Sequence, residues 1–273
     1  MPGHAPAGVG LGAENWLTPG AGWGSTRKSR LSAVPSVITE GRCGVCGHSG
    51  EFIHADAPTR ENYECQACRA SLRYRLQASA ITTTLGWSDV PLAKVLDEPT
   101  FRKLSIYEPG IIGPFRRLLR GLPHYISSYF WPDVALGEVH EEVRCEDARR
   151  LTFPDGSLDL VISSDILEHV RGPMLAFAEV LRVLRPGGHH IFTVPLRWPL
   201  PGTTHGRVDY SGPDEVFLVQ PEYHGSSVDP GGSLVYTDFG MDLPERLREL
   251  GFATATHHGY RQAITFVSRR LSS

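Results

Sequence analysis

The chain has 273 residues, a formal net charge of −3 and a hydrophobic content of 41%. This length allows one sizeable core with an appendage, and the charge gives no general reason to expect nucleic acid as a partner. No apolar run approaches the roughly 20 residues of a membrane span, and a secretory signal is not recognisable at the amino terminus. We therefore expect a cytoplasmic protein of one or two domains that does not enter a membrane. These features predict no particular oligomeric state.

The first segment, residues 1–40, is rich in Gly, Pro, Ala and Ser and has no sustained hydrophobic period. Such a composition buries too little apolar surface to offset the entropy of ordering. We predict a disordered or loosely docked tail. Its isolated aromatics, Trp16 and Trp23, are the residues that could dock on the folded body or close over a ligand.

Two CxxC pairs follow, formed by Cys43 with Cys46 and by Cys65 with Cys68. Two such turns can bring four thiolates to one tetrahedral centre with Zn–S bonds of about 2.3 Å. Because all four positions are then filled, the predicted Zn²⁺ is structural, and residues 41–70 form a zinc-ribbon-like module. A redox dithiol is the competing interpretation, but it needs only one pair.

Residues 69–85 have a helical period, and a second short helix is predicted near Pro91. Together they form a helical connector over residues 71–100. The first helix carries Arg69, Arg73 and Arg75. These arginines either solvate the helix face or meet phosphate or carboxylate groups.

Short apolar runs bounded by turn-forming residues predict five buried parallel strands, at residues 104–107, 124–129, 143–145, 158–163 and 191–194. Helices are predicted to begin at Pro114 and Pro173, because proline suits the first helical position. The second of these should end at Pro186. An amphipathic helix at 241–250 precedes two further strands, at residues 252–257 and 262–267.

Three motifs lie in order along this central region: FPDGSLD at 153–159, LEHV at 167–170 and LRPGG at 184–188. Together they resemble the second half of a class I S-adenosylmethionine-dependent methyltransferase of the type 11 group. The resemblance implies a methyltransferase domain over residues 101–273. Its fold would be α/β, with a seven-stranded Rossmann-like sheet that ends in an antiparallel hairpin. S-adenosylmethionine would be the cofactor.

The same resemblance implies where the methionine and adenine portions of the cofactor bind. Glu108 and the loop glycines Gly110 and Gly113 would meet the methionine portion, because the backbone must come close to it there. Asp147 would accept a hydrogen bond from the adenine amino group, and the backbone amide of Ala148 would meet a ring nitrogen.

The ribose portion lacks its usual partner. Family members place an acid at the end of the second strand, whereas this chain has Ser127, Ser128 and Tyr129 there. Ser128, together with Ser164 at the end of the fourth strand, completes the predicted cofactor-binding residues. The departure leaves room for weak binding or for a pocket that is built differently.

Asp165, Glu168 and His169 follow the fourth strand, at the edge where this family brings methyl donor and acceptor together. On a helical turn their spacing places them on one face. The pattern is similar to that of ubiquinone-pathway O-methyltransferases, which implies a divalent ion at these three residues as one interpretation. In the others, His169 and Asp165 act as catalytic groups or acceptor contacts, or the residues only shape the pocket.

Residues 196–240 form a long insertion between the fifth strand and the next helix. Such insertions beside strand ends are more often functional than idle. We predict that His224 is a further catalytic base, and that Tyr223, His224, Trp198 and Tyr210 help to wall the acceptor pocket. A solvated loop is the alternative.

These observations predict methyl transfer to a hydroxyl or amine of a small molecule, sugar or secondary metabolite, with an O-methyltransferase as the first choice. One rival is an RNA methyltransferase, which would need a continuous basic face over the ribbon and Arg69, Arg73, Arg75, Arg116, Arg117 and Arg120. The other is a degenerate methyltransferase fold that acts as a binding module. Its evidence is the thin glycine turn at 108–113 and the missing ribose acid.

Overall fold

The structure, a computed structural model, describes residues 38–53, 59–225, 230–259 and 263–272. The predicted amino-terminal tail lies almost entirely outside these residues. The described chain begins with an antiparallel hairpin of β1 (Ile38–Arg42) and β2 (Ser49–Ile53). The first cysteine pair lies in the turn between the two strands, so this part of the chain has the hairpin expected of a ribbon.

Three helices follow the second cysteine pair: α1 (Leu72–Thr84), α2 (Leu92–Val95) and α3 (Pro99–Arg102). The predicted connector is therefore helical, but α1 starts three residues later than the period of the sequence indicated. The reason is local. Arg69 has φ 60°, a left-handed conformation that closes the second cysteine turn and cannot begin a right-handed helix.

A mixed sheet of eight strands forms the centre of the fold, in the order β15-β16-β8-β7-β3-β4-β6-β5. Its strands are β3 (Ile106–Pro109), β4 (Tyr125–Tyr129), β5 (Val139–His140), β6 (Val143–Cys145), β7 (Leu158–Ser164), β8 (Leu184–Thr193), β15 (Phe252–His258) and β16 (Ile264–Arg270). The remaining helices are α4 (Pro114–Leu119), α5 (Pro173–Val183) and α6 (Leu243–Leu250).

All seven predicted strands are present in this sheet, and β16 pairs antiparallel with both β15 and β8. The Rossmann-like α/β fold with a terminal antiparallel hairpin is thus confirmed. The prediction of seven strands is too low by one, because the two-residue edge strand β5 pairs antiparallel with β6. Its residues are exposed and carry no apolar run that would have marked a strand.

The Pro186-Gly187-Gly188 motif has a different role from the one predicted. Helix α5 already ends at Val183, and β8 starts at Leu184, so the motif lies inside the strand. The pairing with β7 shifts register between Leu158 and Leu160 to accommodate it. Gly187 has φ +83°, which a residue with a side chain rarely adopts.

The cysteine hairpin shares a hydrophobic core with the sheet. Phe52 of β2, Ile81 of α1 and Ile162 of β7 are all fully buried in one apolar cluster. The side-chain amide of Gln77, on α1, donates hydrogen bonds to the carbonyl oxygens of Ser163 and Ile191 at 3.0 Å each. Residues 36–273 accordingly form one compact unit.

The insertion at 196–240 folds into three small antiparallel ladders. They pair β9 (His205–Gly206) with β14 (Thr237–Asp238), β10 (Val208–Asp209) with β11 (Val216–Phe217), and β12 (Tyr223–His224) with β13 (Ser233–Leu234). The backbone N–H of Tyr236 donates to the carbonyl of Glu168 at 2.7 Å. This contact fixes the insertion against the loop that follows β7.

Among the described helices, none has the length and apolar character needed to cross a bilayer.

Candidate active site

The strand order itself locates the candidate site. From β3 the chain proceeds to β4 and β6 on one side, and from β7 to β8 on the other, so the direction of winding reverses between β3 and β7. Ligands of open α/β sheets bind outside the carboxyl ends of the strands at such a switch point. The loops that leave β3 and β7 there are 110–113 and 165–172.

A cluster of one carboxylate and two imidazoles lies beside this point. Glu168 and His169 belong to a 3-10 turn after β7, and His224 comes from β12 of the insertion. Oε1 of Glu168 is 3.5 Å from Nε2 of His169 and 3.6 Å from Nδ1 of His224. The two imidazole rings are nearly perpendicular, with centroids 5.0 Å apart. The structure therefore brings the predicted His169 and His224 together.

Glu168 is 1% exposed, and neither of its side-chain oxygens has a hydrogen-bond partner among the described residues. Burial raises the pKa of this carboxyl, because a desolvated charge is unfavourable. The carboxylate in turn raises the pKa of His224, since it favours the charged imidazolium. A buried acid and a histidine in contact, both with raised pKa values, are typical of a site that handles protons or binds a cation.

Asp165 is not brought into this cluster. Its two oxygens accept hydrogen bonds from Nη2 of Arg60 at 2.5 and 2.6 Å, and Nε of Arg73 lies 3.2 Å away. Thr193 donates a further hydrogen bond to it at 2.9 Å. Burial acts to raise the pKa of Asp165, but the two guanidinium groups outweigh it and hold the pKa below its usual value. Asp165 is thus an ion-pair partner of Arg60 and Arg73. The third side chain that lies beside Glu168 and His169 is His224, and not Asp165 as the sequence predicted.

The glycine loop after β3 has the backbone expected of a close approach to a ligand. Gly110 and Gly113 have φ +128° and +133°, values that residues with a side chain rarely adopt. A Cβ on Gly113 would lie 3.0 Å from the hydroxyl oxygen of Tyr74, which comes from α1. Helix α1 therefore packs directly against this loop.

Glu108 is 3% exposed and accepts a hydrogen bond from the hydroxyl of Tyr125. Burial raises its pKa to about 8, so the carboxyl is mostly protonated at neutral pH. In this state Glu108 is neutral, so it is not an anionic hydrogen-bond acceptor.

The two predicted serines face neighbouring side chains. Ser128 is 2% exposed, and its hydroxyl lies 2.7 Å from that of Tyr107. Ser164 donates to Oε1 of Gln77 at 2.7 Å, so it contacts α1. Neither serine supplies a carboxylate in place of the missing ribose acid.

Asp147 follows β6 and lies at the carboxyl edge, as predicted. Its carboxylate accepts hydrogen bonds from the guanidinium of Arg149, the shortest at 2.6 Å. Burial opposes ionisation, but Arg149 prevails and lowers the pKa of Asp147. Ala148 packs against the apolar cluster beneath. An adenine amino group would have to share Asp147 with Arg149.

The predicted wall of the acceptor pocket is exposed. Tyr223 is 55% exposed, Trp198 53% and Tyr210 40%. The ring of Tyr210 lies 6.2 Å from that of Tyr236, and Arg171 is 5.7 Å from its centroid. These aromatic groups are available to a ligand at the surface of the insertion.

The four cysteines of the amino-terminal pairs converge. Sγ of Cys43 lies 3.7 Å from Sγ of Cys68, and Sγ of Cys46 lies 3.6 Å from Sγ of Cys65. All four sulfurs lie within 4.8 Å of one another, and none forms a disulfide. Bonds of about 2.3 Å to a tetrahedral zinc would place neighbouring sulfurs about 3.8 Å apart. The donor set and its geometry therefore fit a zinc ion held by four thiolates.

Two of the six arginines of the RNA hypothesis, Arg73 and Arg75, are engaged in internal contacts, whereas Arg69, Arg117 and Arg120 are exposed. Arg73 is 8% exposed, and Arg75 lies 3.3 Å over the ring of Phe52. Arg69 pairs with Glu64 at 2.7 Å. The structure does not present Arg69, Arg73 and Arg75 as one basic face.

Sequence reasoning missed Arg60, and it did not connect Glu222 with Nε2 of His224. Arg60 stands between the two cysteine pairs in a segment without periodicity, so no local signal connects it to Asp165, which is far away along the chain. Glu222 belongs to the polar cluster around His224, where several charged residues are equally plausible from the sequence. Arg73, by contrast, meets the carboxylates of Glu61 and Asp165, which was one of its two predicted roles.

Comparison with protein families finds a match to a methyltransferase domain over residues 132–192. That is about a fifth of the chain. The matched segment contains β7, α5, Glu168 and His169. It therefore carries two of the three members of the cluster, whereas His224 lies outside it.

Among curated proteins, the chain is 39% identical over 57 residues to a malonyl-[acyl-carrier protein] O-methyltransferase of Marinomonas sp. (strain MWYL1), covering 21% of each chain. It is 36% identical over 77 residues to an uncharacterized methyltransferase of Mycobacterium avium (strain 104), covering 28% of this chain and 30% of that one. The chain spans less than a third of the length of these relatives.

Among solved structures, an S-adenosylmethionine-dependent methyltransferase from Mesorhizobium loti is 18% identical, with a TM-score of 0.43; the match covers 68% of this chain and all of that one. A complex of the Haloferax volcanii Trm112 methyltransferase activator with a methyltransferase gives 13% identity and a TM-score of 0.39, over 72% of this chain and 98% of that one. Likeness at this level identifies no function. What this chain shares with known methyltransferases is the strand-helix-strand segment that carries Glu168 and His169.

Proposed function

We propose that the chain transfers the methyl group of S-adenosylmethionine to a hydroxyl, or to an amine, of a small molecule or glycan. The observation that carries the proposal is the Glu168–His169–His224 cluster, two of whose members follow β7 at the switch point of the sheet. Two of its members belong to the segment that matches a methyltransferase domain. Proton-handling groups at that position are what an acceptor hydroxyl requires.

The residues around the switch point fit the cofactor in part. The left-handed glycines of the loop after β3 leave room for a ligand to approach the backbone. Arg73 is buried, and its Nη1 has no hydrogen-bond partner among the described residues, so it suits a carboxylate such as that of the methionine portion. Asp147 stands at the end of β6 for the adenine. The ribose position has no acid, so we expect moderate affinity.

Bound there, S-adenosylmethionine would supply an electrophilic methyl group on a sulfonium. The chain's own contribution is to align an acceptor and to remove its proton. Alignment alone accounts for a large part of such catalysis, because it replaces a bimolecular encounter. A positioned base typically adds about 10²–10⁴-fold. His224, whose pKa Glu168 raises, and His169 are the groups placed to take the proton.

The exposed aromatic side chains of the insertion suit an acceptor with flat or apolar surfaces. Tyr223 directly precedes His224 on β12 and is 55% exposed. Trp198 and Tyr210 are exposed elsewhere on the same insertion. We propose that these three residues contact the acceptor while His224 contacts its reactive atom.

The cysteine cluster is proposed to hold a structural Zn²⁺. Four thiolates leave no position for a substrate, so the ion would stabilise the fold rather than take part in the reaction. It would also hold the segment that carries Arg60, which lies between the two pairs and binds Asp165. The module would thereby fix the loop after β7 from the amino-terminal side.

Calorimetry with S-adenosylmethionine, followed by transfer of its labelled methyl group to a panel of hydroxylated and amino compounds, tests this function. We expect one site per chain, and at least tenfold weaker binding in Asp147→Ala. Asp155→Ala is the matched control, because this acid precedes the amino end of β7 and its side chain is 78% exposed. Full affinity in Asp147→Ala would show that the cofactor does not bind beside the end of β6. A complete lack of binding in the wild type would favour the degenerate binding module.

A further inference from the structure

The carboxylate of Glu168 is an anomaly in the described part of the chain. It is 1% exposed, and neither oxygen has a hydrogen-bond partner there. Buried polar groups are nearly always paired, because an unpaired one has lost its water without compensation. A buried group in this state needs a proton, a water or a bound ion to complete its contacts.

The hydrogen bond of His169 shows which of its ring nitrogens faces Glu168 as an acceptor. Nδ1 of His169 lies 2.8 Å from the carbonyl oxygen of Leu234. A carbonyl can only accept a hydrogen bond, so Nδ1 carries the hydrogen. In the neutral ring Nε2 is then an acceptor, and it faces Oε1 of Glu168 at 3.5 Å. Two acceptors face each other across this gap.

The same argument applies to His224. Its Nε2 lies 3.3 Å from Oε1 of Glu222. The guanidinium groups of Arg197 and Arg207 contact Oε2 of the same carboxylate, so Oε1 of Glu222 accepts the hydrogen of Nε2. Nδ1 of His224 is then a second acceptor directed at Oε1 of Glu168, at 3.6 Å.

Three acceptor atoms thus surround a space that no described donor fills. Each histidine has its outer nitrogen bonded to an oxygen, which is the arrangement that fixes metal-binding histidines. Bonds of about 2.1 Å to a tetrahedral ion would place neighbouring donor atoms about 3.4 Å apart. The measured separations are 3.5 and 3.6 Å, and all three donor atoms lie within 4.8 Å of one another.

We propose that Glu168, His169 and His224 bind a divalent transition-metal ion. The three ligands come from two different elements, the turn after β7 and strand β12 of the insertion. Two imidazoles and one carboxylate suit Zn²⁺, Mn²⁺ or Fe²⁺, and a set of three protein ligands leaves a coordination position open. This site differs from the four-cysteine cluster, which is closed.

The open position gives the ion a role that rests on the proposed function. An acceptor hydroxyl that coordinates there has its pKa lowered, since the ion stabilises the deprotonated oxygen. Its proton passes to solvent, and the oxygen keeps the electron pair that forms the new bond to the methyl carbon. The pair of the broken carbon–sulfur bond stays on sulfur. In this state the two histidines act as ligands, and the ion replaces them as the activating group.

The rival occupant is a proton. A proton shared between Glu168 and one of the histidines would also separate the facing acceptors, and the raised pKa of His224 is compatible with it. The two occupants differ in one measurable respect, which is the metal stoichiometry of the folded chain.

The test uses the full chain, with the cysteine site loaded with Zn²⁺ and weakly held metal removed by a mild chelator. Co²⁺ is then titrated while heat and visible absorption are recorded. We expect one equivalent to bind with ligand-field bands and no sulfur-to-cobalt charge-transfer band. Glu168→Gln and His224→Ala should weaken this binding at least 100-fold while retaining one zinc per chain.

His205→Ala is the matched control, because His205 is an exposed histidine of the same insertion that contacts Thr203 instead of the cluster. It should bind Co²⁺ like the wild type. A wild type that binds no cobalt beyond the cysteine site, or a His224→Ala variant that binds as tightly, would overturn the proposal in favour of the shared proton. The titration contains neither cofactor nor acceptor, so its outcome is independent of whether methyl transfer occurs.

Discussion

Replacing Asp165 with Asn removes one charge from a cluster that joins the segment between the two cysteine pairs, α1 and the loop after β7. Asp165 has φ +54°, and Asn tolerates the left-handed region as Asp does, so the backbone should not respond. The substitution keeps the size of the side chain. It leaves the guanidinium groups of Arg60 and Arg73 beside a neutral amide.

The magnitude follows from burial. Removing one partner of a fully buried ion pair costs about 3–5 kcal/mol. The side chains here keep 18% exposure for Asp165, 22% for Arg60 and 10% for Arg73, so water screens them slightly. We therefore expect Asp165→Asn to lower the free energy of unfolding by about 2–3 kcal/mol, and the melting temperature by roughly 5–10 °C.

The assay is urea denaturation followed by tryptophan fluorescence and circular dichroism. Asp155→Asn is the control, because Asp155 also pairs with an arginine, Arg182, but is 78% exposed. That change should cost no more than about 1 kcal/mol. A cost for Asp165→Asn no larger than that of the control would refute the reasoning.

The pH dependence provides a second check. Because the folded pKa of Asp165 is held below its usual value, its stabilising charge is present above the unfolded pKa of about 3.9. The contribution is lost as the pH falls through the lower, folded pKa. The stability difference between wild type and Asp165→Asn should therefore be constant above about pH 5 and shrink below about pH 4. A difference that grows in acid would contradict this account.

Three further predictions test other parts of the structure. Cys46→Ser should abolish binding of the proposed structural zinc and lower stability by at least about 2 kcal/mol, whereas Cys145→Ser, which changes a cysteine outside the cluster, should leave that binding unchanged in metal analysis. Burial raises the pKa of Glu108 to about 8, so the folded state binds more protons there than the unfolded state between about pH 4 and 8, and wild-type stability should fall over this range. Glu108→Gln should remove that fall and equal or exceed the wild type in stability at pH 8, and an unchanged pH profile would show that the carboxyl is ionised. Gly113→Ala should cost about 1–3 kcal/mol, because Gly113 has φ +133° and the added Cβ would lie 3.0 Å from Tyr74; Gly121→Ala, where the added Cβ meets nothing within 4 Å, should be nearly neutral in the same denaturation assay.

Local patterns predicted the sheet well because each strand carries its own signal. The runs at 143–145 and 158–163 are apolar, short and bounded by turn residues, and the structure places β6 and β7 there. Strand β5 and the small ladders of the insertion escaped prediction, since two-residue strands have no period. Helix α1 was predicted too long because the left-handed turn at Arg69 depends on the cysteine fold and not on helical propensity.

The candidate site was harder, because its members meet only through the tertiary fold. His224 and Glu168 were both noted from the sequence, but nothing in their spacing indicates that strand β12 returns to the turn after β7. Asp165 shows the opposite case. Its position after β7 favoured a catalytic or metal-binding role, whereas Arg60, which has no motif of its own, binds it from the segment between the two cysteine pairs.

The environment of the arginines on α1 also depends on the tertiary fold. The sequence shows Arg73 and Arg75 as two charges on a helix, which most often means a solvated face. In the structure Arg73 meets two carboxylates, and Arg75 covers the ring of Phe52. Whether a charge is solvated or paired depends on partners that lie elsewhere in the chain, so composition alone could not decide it.

The most direct test of the central claim is a structure of the chain crystallised with S-adenosylhomocysteine. The account predicts that the ligand lies across the carboxyl ends of β3 and β7, with its adenine beside Asp147 and its sulfur facing the Glu168–His169–His224 cluster. A ligand bound elsewhere, or one whose sulfur faces away from that cluster, would contradict it.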